Sequence, residues 1–178
     1  RLDGRNTNSP PILIGSHIDS QPSGGKYDGV FGVLAGIEII ESLCENNIIP
    51  KNPIEVVAWM NEEGSRFSPG MMGSSVYTGA RSVEDVKKIK DDNGINVDSE
   101  IKKMHLSFPN LKIKEFRREI KCFIEAHIEQ GPILELNQKR IGIVTGIQGK
   151  RTFQIEVNGE LNHVGTSPRK IRRDALVS

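Results

Sequence analysis

Ile54-Glu55-Val56-Val57-Ala58-Trp59-Met60 runs directly into Asn61-Glu62-Glu63-Gly64. The first seven residues are apolar at all but one position and rich in β-branched and aromatic types, which predicts a buried strand. Two adjacent carboxylates then stand at its end. Like charges at that range raise one another's pKa or require a cation between or beside them. This stretch therefore predicts both an element and the chemistry at its tip.

The same arrangement recurs on either side. Upstream, Ile12-Leu13-Ile14-Gly15-Ser16 follows a Pro pair and reads as a short buried strand. His17 and Asp19 come next, and Asp28 lies in a glycine-flanked loop. From Val30 to Glu45 the apolar positions Val30, Val33, Leu34, Ile37, Ile40 and Leu43 or Cys44 recur at helical spacing, with Asp28-Gly29 as the start and Asn46-Asn47 as the stop. Strand, helix and strand make a βαβ unit, which predicts parallel pairing. Downstream, Phe123 to Ala126 reads as a third strand, followed by His127 and Glu129.

The remaining segments are less strongly patterned. Ser65 to Gly79 is rich in Gly, Ser and Met without a clear period and is expected to be a loop wrapping the site. Ser82 is the expected cap of a short helix. Residues 87 to 121 read as surface helices and loops. Arg140 to Ile147 and Thr152 to Val157 read as two more strands, with Asn158-Gly159 as a hairpin turn. A helix is expected from Pro168 onward, running through Asp174 to Ser178. The change of pattern near Gly149-Lys150 places a domain boundary there.

Composition narrows the function. The chain has 178 residues, enough for one domain and the start of another, and a net charge of +1. Such a balance gives no strong steering towards nucleic acid or anionic membrane. The basic run Arg169-Lys170-Ile171-Arg172-Arg173 has no interleaved aromatic residues, so no nucleic-acid partner is expected. No apolar run approaches a membrane span, and no signal-peptide pattern is read. Cys44 and Cys122 form no CxxC and are expected to be reduced and mostly buried, as in a cytoplasmic protein. The chain opens at Arg1 without an initiator Met, which reads as a piece of a longer protein.

In open α/β sheets, ligands bind beyond the carboxyl ends of the strands. His17, Asp28, Glu62, Glu63 and His127 all follow predicted strands or the first βα turn. A neutral imidazole suits Zn, Mn, Co or Ni, and Asp19 is placed to hydrogen-bond the other ring nitrogen of His17. Asp28 has two oxygens with which to bridge two ions. Glu62 and Glu63 can divide the work, one binding metal and the other taking a proton. Each feature alone has an ordinary reading: a solvated His, a surface Glu pair, an Asp-Gly turn, a surface acid at Glu129. Their joint occurrence at three strand ends points to a metallohydrolase.

Six motifs then carry a resemblance in register. They are Gly15-Ser16-His17-Ile18-Asp19-Ser20, Gly24-Gly25-Lys26-Tyr27-Asp28-Gly29, Asn61-Glu62-Glu63-Gly64-Ser65-Arg66-Phe67, His127-Ile128-Glu129-Gln130-Gly131-Pro132, His163-Val164-Gly165-Thr166-Ser167-Pro168 and Arg172-Arg173-Asp174-Ala175. From Leu13 to Leu176 the chain resembles the hydantoinase/carbamoylase family of metal-dependent amidohydrolases, within the wider peptidase M20 group. The resemblance implies an α/β exopeptidase-like catalytic domain with a central mixed sheet over residues 1–149. It implies the beginning of an α+β dimerisation domain over residues 150–178.

By the same resemblance, His17, Asp28, Glu63 and His127 are ligands of two divalent ions (Zn, Mn, Co or Ni), with Asp28 bridging them. Glu62 is the general base and Asp19 orients His17. Gln130 contacts substrate. His163 reaches the partner's site in a homodimer and stabilises the oxyanion. The implied reaction is hydrolysis of the C–N bond of a small N-carbamoyl or ureido acid. The family's last metal-binding His, and the Asn and Arg that grip the substrate, fall beyond Ser178. The alternatives are an M20-type peptidase or aminoacylase, or an inactive remnant lacking the last ligand. The motifs at 61–67 and 127–132 favour the carbamoylase branch.

Overall fold

The computed structural model describes residues 1–116, 118–149, 151 and 153–176. Elements follow in the order β1 (Ile12–His17), α1 (Val30–Glu45), β2 (Ile54–Trp59), α2 (Met72–Thr78), α3 (Val83–Lys88), α4 (Val97–Ser107), β3 (Cys122–Ile124) and α5 (Ile133–Leu136). A 3₁₀ turn at Arg169–Ile171 closes the series. The chain divides into two compact units, Arg1–Ile133 and Leu134–Ser178.

In the first unit the sheet order is β2-β1-β3, and β1 pairs in parallel with both neighbours. Leu2 adds an antiparallel bridge to Ile54. Parallel pairing brings the three carboxyl ends to one edge. Register makes this concrete. Ile14 lies opposite Ile124 at the end of β3, and beyond that pair the rings of His17 and His127 lie 6.0 Å apart. His17 also pairs with Trp59, two residues before Asn61-Glu62-Glu63.

Helix α1 covers one face of the sheet at close range. A Cβ at Gly36 would meet the side chains of Ile14 and Val56 at 3.3 Å, so the helix backbone rests almost directly on the strands. Ile14, Val33 and Ile54 form the buried apolar layer between them, while Leu13 is buried on the other face. Glu55 alternates to the opposite face and is buried. A carboxylate there is sustained only if paired. Arg1 Nη1 at 3.1 Å, Arg118 Nη1 at 3.0 Å and Lys114 Nζ at 3.4 Å supply the partners. On that face Trp59 packs against Tyr77 and Phe123.

A second core lies under the helical segment. Phe67, Met72, Val76, Val86 and Val97 cluster together, with Val83, Ile89 and Ile101 against them. Met72 is 0% exposed, and burying a side chain of its size contributes about 1.5–3 kcal/mol. This corrects the expected loop at 65–79, because residues 72–78 form α2. Only Met72 and Val76 of that helix are buried. The small residues Gly73, Ser74 and Ser75 between them hide the period. Ser82 caps α3 as expected, its side chain accepting from the Asp85 N–H at 3.1 Å.

The second unit departs further. The described residues of 140–147 and 152–157 form no strands, and Lys150 and Thr152 lie outside the described residues. Ile141, Ile143, Val144, Ile147, Phe153 and Ile155 are exposed, and no described strand pairs with them. β propensity expresses itself only against a neighbouring strand. Asn158-Gly159 forms no hairpin turn; the next residue, Glu160, donates its N–H to the Arg173 carbonyl. The helix expected from Pro168 is a single 3₁₀ turn, with Arg172 extended at ψ 139° and Ile171 exposed. A short helix without a packed face is marginal. Val177 and Ser178 lie outside the described residues.

Both cysteines are free, and both are exposed rather than buried. Cys44 sits near the end of α1, and Cys122 sits on an edge strand. Among the described residues no helix is long and apolar enough to cross a membrane.

Candidate metal centre

His17 ends β1 and is 3% exposed. Its ring lies against Gly29 at the start of α1, where φ is +68° and any Cβ would overlap the imidazole. Gly29 therefore admits the ring and takes a backbone conformation that side chains resist. His17 Nδ1 lies 2.8 Å from the Asp19 main-chain oxygen. Protonated there, the ring donates to that carbonyl and leaves the Nε2 lone pair facing the carboxylates. Nε2 is 3.5 Å from Glu62 Oε2 and 3.8 Å from Asp28 Oδ1.

Asp28 is 8% exposed and central. Its Oδ1 is also 3.1 Å from His127 Nε2, and its Oδ2 accepts from Gln130 Nε2 at 2.5 Å. His127 follows β3, and its Nδ1 faces the Ile128 carbonyl at 2.8 Å. The rings of His17 and His127 lie 6.0 Å apart.

The Asp19 carboxylate meets the turn after β2. Its two oxygens accept the backbone N–H groups of Glu62 at 3.1 Å and Glu63 at 3.0 Å. It lies 3.7 Å from His17 Nδ1, beyond hydrogen-bond range. The main chain of Asp19 meets the ring, and its side chain accepts from the Glu62-Glu63 turn. Burial is the largest influence on Glu62 and pushes its carboxyl above the ordinary Glu range; His17 opposes this, and Glu63, Asp19 and Asp28 add to the rise.

Two sets of donor atoms converge, each within 4.8 Å: His17, Asp28 and His127, and His17, Glu62 and Glu63. Among the described residues, the ion pairs of Asp19, Asp28 and Glu62 are with these two histidines and with no Lys or Arg. Carboxylates gathered around two imidazoles, without a basic side chain, form a donor set suited to divalent ions. His17, Asp28, Glu63 and His127 fit that role.

Gln130 reaches this cluster through Asp28. His163 lies in the second unit, where its Nδ1 accepts the Gly165 N–H at 3.1 Å. Three contacts were not legible in the sequence. Gln21 donates to Glu63 Oε2 at 2.8 Å. The buried Ser16 hydroxyl donates to the Glu125 carboxylate. Arg66 Nε and Nη1 bind Asp91 at 3.0 Å and Glu100 at 2.9 Å. Only the adjacency of Ser16 and Gln21 to the His17 motif could have flagged the first two.

Comparison with known proteins places the chain in a family. The pattern of Peptidase family M20/M25/M40 matches residues 13–176. The chain is 45% identical over 187 residues to an N-carbamoyl-L-amino-acid amidohydrolase of Pseudomonas sp. (strain NS671), covering 99% of this chain and 43% of that protein. It is 39% identical over 180 residues to the allantoate amidohydrolase of Bacillus subtilis (strain 168), covering 100% and 43%. A crystal structure of a hydantoinase/carbamoylase family amidase from Burkholderia vietnamiensis superposes with a TM-score of 0.78 at 36% identity, covering 98% of this chain and 42% of that one. The chain thus spans less than half the length of these relatives. With an α/β fold, a donor cluster at the strand ends and a match along nearly its whole length, the chain belongs to the M20/M25/M40 peptidase family.

Proposed function

We propose that the protein is a metal-dependent amidohydrolase that cleaves the C–N bond of an N-carbamoyl amino acid or a related ureido acid. The observation that carries the reading is the meeting of His17, Asp28, Glu62, Glu63 and His127 at the ends of parallel strands. The names borne by its relatives supply the substrate class. Two divalent ions, drawn from Zn, Mn, Co and Ni, would be held by His17, Asp28, Glu63 and His127, with Asp28 between them. Bound there, such ions supply Lewis acidity and lower the pKa of water towards about 7.

The chain's own residues do the rest. Glu62 takes a proton from the attacking water and returns it to the leaving nitrogen, and burial, by raising its pKa above the ordinary Glu value, makes it a better proton acceptor. Asp19 fixes the turn that carries Glu62 and Glu63. Gln130, which donates to Asp28, would meet the substrate. In this reading residues 1–149 form the catalytic domain, and 150–178 begin a dimerisation domain. His163 of a second subunit stabilises the oxyanion in a cytoplasmic homodimer.

The full-length protein assayed on N-carbamoyl amino acids, allantoate and dipeptides, with and without chelator, tests this. The expected result is chelator-sensitive turnover of a carbamoyl or ureido compound and little of dipeptides. Turnover indifferent to chelation, or confined to dipeptides, contradicts it.

A further inference from the structure

We propose that Arg66 is a positioning residue that holds the metal-binding Glu63 in place from outside the site. The inference rests on the metal-centre reading above and adds a residue to it. Glu63 and Arg66 are separated only by Gly64 and Ser65, and Gly64 has φ +71°. Such a turn has little stiffness of its own. On its incoming side it is pinned by Asp19 through the N–H groups of Glu62 and Glu63. On its outgoing side the Ser65 hydroxyl donates to the Ser20 carbonyl at 3.3 Å, and the Arg66 guanidinium is the next fixed point along the chain.

Three contacts immobilise that guanidinium. Its Nε meets Asp91 at 3.0 Å and its Nη1 meets Glu100 on α4 at 2.9 Å. It also stacks over the Phe67 ring, 4.8 Å from the centroid, and Phe67 belongs to the second core. Asp91 is no mobile surface acid. Its side chain is 5% exposed and also accepts the N–H groups of Asn93 and Ile95 at 3.0 and 2.9 Å. The position of Arg66 is therefore set by a rigid body, α4 and the loop before it, and is passed through two residues to Glu63. Asn61 closes the ring by donating to the Phe67 carbonyl at 2.7 Å. A planar fork that spans two carboxylates is a task for Arg and not for Lys.

The test measures ion affinity in the full-length protein, by metal titration against a competing chelator, beside thermal midpoints of the metal-free and metal-loaded forms. Arg66→Ala is expected to weaken the ion held by Glu63 by about 10- to 100-fold, as loss of outer hydrogen-bonding partners does. The ion held by Asp28 and His127 is expected to keep its affinity. Arg66→Lys is expected to restore less than half of the loss, and kcat to fall more than KM rises. A purely structural Arg66 would lower both thermal midpoints equally and leave affinity untouched; that result overturns the proposal. If Arg66→Ala does not fold, Glu100→Gln removes one arm only: a smaller affinity loss supports the proposal and an unchanged affinity overturns it. Wild-type protein that binds no divalent ion would sink the metal-centre reading itself, which separates the two failures.

Discussion

The two halves of the candidate centre are built differently. His17, Asp28 and His127 are set by regular structure: the end of β1, the start of α1 and the exit of β3. Parallel pairing of β1 with β3 leads the chain to two imidazoles whose tilted rings lie 6.0 Å apart. Glu62 and Glu63 sit beyond β2 on an irregular turn, whose N–H groups donate to Asp19 and which is met by donors from Gln21 and Asn61, with the Arg66 fork proposed to hold its far side. Strand ends position atoms as a consequence of the fold. A turn needs its own set of partners, and these come from distant parts of the chain.

The contrast can be broken in order of expected effect. Glu62→Gln should cut turnover by about 10²- to 10⁴-fold, since it removes the proton acceptor. It should leave metal content unchanged, because neither half of the scaffold is disturbed; elemental analysis beside kinetics checks both. Gly29→Val attacks the regular half. Its side chain would need a left-handed backbone and would overlap the His17 ring. A loss of roughly 2–4 kcal/mol in stability, read by denaturant unfolding, is expected, together with loss of the ion that His17 binds.

Asp19→Ala attacks the irregular half. It leaves two backbone N–H groups without acceptors while the main-chain contact to His17 persists. Metal titration should show a fall of about 10- to 100-fold, concentrated at the Glu63 ion. An equal loss at both ions would mean that the halves are not independent.

The smallest effect is on acid stability. Burial favours the neutral form of Asp91, but hydrogen bonds from Ile95, Arg66 and Asn93 outweigh it and hold the pKa below the ordinary value. Lys103 and Arg66 lower Glu100 likewise. A carboxylate depressed on folding binds fewer protons in the native state. Its stabilisation is therefore full above the unfolded pKa of about 4 and is lost as pH falls below it. Thermal midpoints measured from pH 6 down to pH 3 should decline, and Arg66→Ala should flatten that decline.

The sequence was most readable where a local pattern and its consequence coincide. The period of α1, the apolar runs of β1 and β2, and the donors that follow them predicted the regular half and its edge of the sheet. The irregular half was readable only as residue types. Asp19 was identified, but its role depends on where the backbone of residues 62 and 63 passes, 43 and 44 positions away in the chain. Arg66 stood in the motif at 61–67, but its contacts gave no signal, because its partners Asp91 and Glu100 are ordinary surface residue types. α2 was missed because two buried residues separated by small ones leave no period. The strands expected at 140–147 and 152–157 failed for the opposite reason: strong β propensity with no described neighbour to pair with.

The central claim is that side chains from separate strand ends enclose paired divalent ions. Anomalous diffraction at the absorption edge of the bound metal, from crystals of the full-length protein, tests it most directly. The account predicts two peaks, one beside Asp28 and His127 and one beside Glu63, with Asp28 contacting both. No peak at these residues in metal-loaded, active protein would contradict it.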